Sequence, residues 1–125
     1  MQVPHVCSVE AGGILVRRGV LSGSDPADAL RRFARDGRLI VLRGDRRWVC
    51  PSFQLDYFDP RDPINIICTV NRMLDAGHYA ALATSWWTSP SGALPGRRAP
   101  VDLLGDDHET LRQLAAAESA GPVVA

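Results

Sequence analysis

A chain of 125 residues holds one domain, or two small lobes that share a core, and dimerisation would add to its modest stability. With 46% apolar and 22% charged residues it reads as an ordinary globular protein, which sets aside the disordered and fibrous classes. The formal charge is zero but uneven: nine Arg stand against four Asp from Arg17 to Arg47, and five Arg against nine acids from Trp48 onward.

All fourteen basic residues are Arg, a bias that genome composition explains as readily as function. Cys7, Cys50 and Cys68 are odd in number, far apart and outside any CxxC spacing, so neither a disulfide framework nor a zinc site is expected. His5, His78 and His108 do not make up the deficit, and the reading includes no metal and no cofactor. A reducing cytosol suits such cysteines. No apolar run approaches the roughly 18 residues of a membrane helix and no secretory signal stands out, so the chain is expected to be cytoplasmic and away from membranes.

In chain order, "GGILVRRGVL" fits a strand or a poor helix, since Gly12 and Gly13 weaken both. The signals sharpen in "SDPADALRRFARDG". There Asp25 can cap, Pro26 suits the first helical position, Leu30, Phe33 and Ala34 share a face, and Gly37 suits the stop. Next, "RLIVLRGDRRWVC" reads as a hairpin of runs Arg38–Arg43 and Arg46–Cys50 about a two-residue turn, Gly44-Asp45, with Pro51 ending the pairing. Prolines and acids in "DYFDPRDP" break both periodicities. They divide a helix-plus-hairpin lobe, residues 1–58, from a helical lobe, residues 59–125.

In the second lobe Asp62-Pro63 is expected to start a helix with Ile66, Ile67, Val70, Met73 and Leu74 on one face and Gly77 at its end. Tyr79–Trp87 forms another, with Leu82 and Trp86 one turn apart. Pro100 opens a short turn through Leu104, and a last helix spans Asp107–Ser119 with Leu111, Leu114 and Ala115 inward. The expected fold class is therefore α+β, mainly α, with a small wing-like sheet.

Two constellations carry chemistry. A short helix followed at once by an arginine-bearing hairpin is how a winged helix-turn-helix meets DNA, with Arg31, Arg32 and Arg35 toward the groove and Arg43, Arg46 and Arg47 on the wing. The plainer reading of the same arginines is a solvated helix face and a strand edge protected from aggregation. A clear first helix is missing from the pattern. The second constellation is "SWWTSPSGALPGRRAPVDLL", Ser85 to Leu104. Adjacent tryptophans on a helix point about 100° apart, so one can be core while the other, taken here as Trp87, serves as a contact residue. The plainer reading buries both between short helices. A third cluster, Asp56, Asp59 and Asp62, lacks the ordered ligand ladder of a cation loop and reads as caps and linker polarity.

The stretch "WWTSPSGALPGRRAPVDLL", followed by a Leu/Ala-rich helix, resembles the Xre/MbcA/ParS toxin-binding domain of antitoxins, over roughly Ile64 to Ala125. "DGRLIVLRGDRRWVCPSFQLD" is similar to the segment that precedes this domain in some members. The resemblance implies a non-enzymatic antitoxin of a type II toxin–antitoxin system, commonly a homodimer, whose partner is a RES-domain toxin that consumes NAD or transfers ADP-ribose from it. It further implies that Arg97, Arg98, Pro100, Asp102 and Leu103 shape a toxin-facing turn. Glu118 and the tail Gly121, Pro122, Val123, Val124 and Ala125 would occlude the toxin's active site. Members often carry a complete helix-turn-helix at the N-terminus, for which this chain is short, so binding to operator DNA stays an open alternative.

Overall fold

A computed structural model of the chain describes residues 4–22 and 25–120. Within them are five helices and a small antiparallel sheet of three strands, an α+β fold that is mainly helical, in line with the patterning. The order is β1 (His5–Cys7), α1 (Ser8–Arg17), α2 (Pro26–Arg35), β2 (Leu42–Arg43), β3 (Trp48–Pro51), α3 (Ile66–Met73), α4 (Ala80–Thr88) and α5 (His108–Ala120). Short 3-10 turns occupy Ser52–Gln54, Pro95–Arg97 and Pro100–Leu103. None of the described helices is long and apolar enough to cross a membrane.

The ambiguous first stretch is a strand followed by a helix. β1 pairs with β3 in the register His5↔Pro51, Val6↔Cys50 and Cys7↔Val49, so Pro51 lies within the pairing that it was expected to end. As the last residue of its strand, it interrupts no further ladder. α1 buries Ala11, Gly12 and Leu15. A Cβ at Gly12 would stand 2.7 Å from Cβ of Pro26, so the glycine that weakens the helix pattern is what lets α1 cross close to α2. α2 starts as its sequence implies: Asp25 accepts a hydrogen bond from the Asp28 amide at 3.0 Å and Pro26 takes the first turn.

The hairpin is shorter than expected. β2 and β3 pair only as Leu42↔Val49 and Arg43↔Trp48, and the Gly44 amide donates to the Arg47 carbonyl at 2.9 Å. The connection is thus four residues, Gly44 to Arg47, and not two. Leu39, Ile40 and Val41 are buried without being strand. The reason is a side chain. Gln54 accepts from the Ile40 amide at 2.8 Å and donates to the Ile40 carbonyl at 3.0 Å, which satisfies the backbone where a neighbouring strand would have done so.

α3 begins at Ile66, later than the Asp62-Pro63 start, because Asn65 caps it by accepting from the Cys68 amide at 3.2 Å. Asp62 serves the preceding turn, accepting from the Ile64 amide at 3.0 Å. α5 is capped by Asp107, which accepts from the Thr110 amide at 3.1 Å and the Thr110 hydroxyl at 2.6 Å. Those donors hold the Asp107 carboxyl below the usual carboxylate range. Leu111 and Ala115 are fully buried, and Leu114 packs at the margin.

One apolar cluster runs from Ala11, Leu15 and Leu30 through Ile40 and Phe58 to Ile67, Trp87 and Leu111, so the core passes across residue 58 without interruption. Cys50 and Cys68 lie in it as free thiols, pushed up by burial to about 12 and about 11. Gly77 fits the joint between the halves: a Cβ there would stand 3.0 Å from the Arg35 carbonyl oxygen at the end of α2.

Candidate functional site

α4 carries the tryptophan pair, and its geometry reverses their expected roles. Trp87 is fully buried and is no contact residue in this fold. Its indole N–H donates to Asn71 Oδ1 at 2.9 Å, and its ring packs 5.3 Å from that of Phe53. Asn71 in turn donates to Gln54 Oε1 at 3.0 Å and to the Arg38 carbonyl at 3.1 Å. Rotation by about 100° per residue then turns Trp86 outward, where it is half-buried.

Beyond α4 the chain makes the rigid turn that the sequence advertises. Gly96 (φ 72°) and Arg97 (φ 58°) are both left-handed, a conformation costly for Arg, and together they swing Arg97 into solvent. Arg98 is half-buried and donates to the Asp102 carbonyl at 3.2 Å and the Asp106 carboxylate at 3.3 Å. Asp102 accepts from the Ala99 amide at 2.9 Å and so closes the Pro100–Leu103 turn. Pro100 and Leu103 are buried anchors, so of the five residues expected to shape the turn Arg97, Arg98 and Asp102 are the ones open to a partner. An open hollow of about 440 Å³ lies beside Pro90, Leu94 and Arg97.

Glu118 sits elsewhere. It belongs to the last turns of α5, whereas the Pro100–Leu103 turn precedes its first, a separation of about 1.5 Å per residue along the axis. Around Glu118 and Ser119 lies a groove of about 240 Å³ lined by Met73, Leu74, Tyr79, Leu82 and Trp86. Tyr79 and Leu82 are large apolar side chains left 55% and 69% exposed. The sequence reading places Leu82 and Trp86 on one helix face but leaves their exposure unread, because the burial of Trp87 decides which face turns out. Residues Gly121 to Ala125, the expected occluding tail, lie outside the described residues.

Arg31, Arg32 and Arg35 on α2 and Arg43, Arg46 and Arg47 on the hairpin are all exposed. Asp28 lies 3.7 Å from Arg31 and 3.6 Å from Arg32, contacts too exposed to immobilise them. Arg31 and Arg35 share a groove of about 320 Å³ with Ala34, Val41 and Trp48, whose indole is 40% exposed. Trp48 was missed by the sequence reading, although its place directly after Arg46-Arg47 was a usable signal. The order β1–α1–α2–β2–β3, with strands arranged β1-β3-β2, supplies the helix before α2 that the pattern lacked.

Among the described residues, no three of His, Cys, Asp and Glu gather as a metal would require. Asp59 instead pairs with Arg61 at 3.1 Å, which holds its carboxyl below the usual range. Comparison with known protein families, curated proteins and solved structures finds no match to this chain.

Proposed function

We propose that this chain is a cytoplasmic, homodimeric antitoxin of a type II toxin–antitoxin system that binds a RES-type, NAD-consuming toxin and occludes its active site without turnover. The reading rests on the ordered stretch from Trp86 to Leu104 and its resemblance to the toxin-binding family. What supports it is the form that stretch takes: a turn fixed by Pro100 and Leu103 beneath, with Arg97 held outward at the expense of backbone strain. Residues 121–125, Gly-Pro-Val-Val-Ala, are small and apolar, of a size able to enter a confined active site.

The test is co-expression with the product of the neighbouring open reading frame. Intact chain restores growth and cellular NAD. Deletion from Gly121 abolishes that protection while leaving the melting temperature essentially unchanged. Full protection by the truncated chain would exclude the tail as the stopper, and purified chain that degrades NAD alone would exclude the reading.

A second reading, operator binding by the N-terminal half, is favoured by the β1–α1–α2–β2–β3 order and its exposed arginines. Fluorescence anisotropy with promoter DNA at several salt concentrations tests it. Binding weakens steeply with salt, and replacing Arg46 and Arg47 by Ala lowers the log–log slope by about 2, roughly one unit for each phosphate left without its arginine. A slope that the double variant leaves unchanged removes the wing from the interface.

A further inference from the structure

We infer that the groove along α4, between Tyr79, Leu82 and Trp86 on one side and Glu118 on the other, is the site where the partner toxin docks an apolar side chain flanked by a basic residue. The inference rests on the antitoxin reading and assigns the surface that it leaves open.

Three observations converge on this groove. First, α4 is apolar on both sides: Ala83 and Trp87 face the core, while Tyr79, Leu82 and Trp86 form an i, i+3, i+7 stripe facing out. A short helix gains nothing from a second apolar face unless something covers it. Second, the rim is acidic. Asp75 and Glu118 line the groove and no arginine does, in a chain whose every basic residue is Arg. Asp75 already bonds His78 at 2.8 Å, whereas Glu118 makes no ion pair among the described residues. An apolar anchor beside a cation complements both features.

Third, the groove lies at the C-terminal end of α5. Glu118 and Ser119 line it, and the tail begins two residues later at Gly121. Connectivity alone brings a partner that receives residues 121–125 within a few residues of this groove. The Arg97 turn, at the opposite end of α5, is a separate contact.

Titration calorimetry with the purified product of the neighbouring open reading frame tests the assignment. Leu82→Glu and Tyr79→Ala alter exposed side chains, so circular dichroism and melting temperature stay as in the unmodified chain. Each weakens binding roughly thirtyfold or more, as removal of a central anchor does. Binding by both variants within about threefold of the unmodified chain overturns the groove assignment and leaves the antitoxin reading standing. Failure of the unmodified chain to bind overturns that reading and this inference with it. Light scattering covers the remaining occupant: a dimer that Leu82→Glu converts to monomer, with toxin binding retained, assigns the groove to a second copy and overturns the proposal.

Discussion

Asn71 illustrates how much one interior residue can hold. Its side chain receives the Trp87 indole N–H and donates to both Gln54 and the Arg38 carbonyl, and it is fully buried while doing so. Removing it leaves the buried Trp87 indole N–H without its acceptor and opens a cavity in the core. It also takes a donor from the Arg38 carbonyl and from Gln54 Oε1, which keeps the Ile40 amide. Asn71→Ala should therefore destabilise the fold by about 3 kcal/mol, more than one ordinary hydrogen bond contributes, because a desolvated donor is orphaned beside that cavity. Urea unfolding measures it, and a loss under about 1 kcal/mol would mean that the network relaxes around the gap. None of this was legible in the sequence, where Asn71 and Gln54 are polar letters in apolar runs. The choice between Trp86 and Trp87 failed for the same reason. Adjacency says that the two differ, but the polar partner that receives one indole comes from another helix. Arg97 was legible as exposed but not as left-handed, since position 96 already holds the glycine that such a turn normally uses.

At the level of elements, signals confined to a few neighbouring residues were read well. The Asp25 cap and Pro26 start of α2, the Pro100 turn and the span of α5 all follow from local capping chemistry. Elements that depend on distant partners were not. β1 exists because β3 lies beside it, and α1 tolerates Gly12 because Pro26 crosses there. The start of α3 falls at Ile66 because the Asn65 side chain both caps the helix and bonds the Tyr57 carbonyl at 2.8 Å. The α5 cap has a definite pH signature. Asp107 is held below the ordinary carboxylate range, so its contribution is present above about pH 3.9 and is lost as pH falls through the lowered folded value. Asp107→Ala should lower the melting temperature at pH 7, with a gap from the unmodified chain that narrows as acid protonates the Asp107 carboxylate. A gap independent of pH would mean that the charge plays no part in the cap.

Seen whole, the molecule offers surfaces with opposite character on a single core. The arginine face spans α2 and the hairpin, and the acid-rimmed apolar groove lies along α4. The charge gradient along the chain was legible, and the exposed arginines of α2 and the hairpin belong to its basic part. The joint between the two regions was not, for it is made by Gly77 fitting against the end of α2 and by the Gln54–Asn71–Trp87 chain of hydrogen bonds. Because Gln54 stands on one side of residue 58 and Asn71 on the other, the halves are not interchangeable parts. A chain in which another segment replaces residues 1–58 would leave the interior Asn71 amide without the Gln54 acceptor, so such an exchange must bring along a residue that replaces Gln54 in that role.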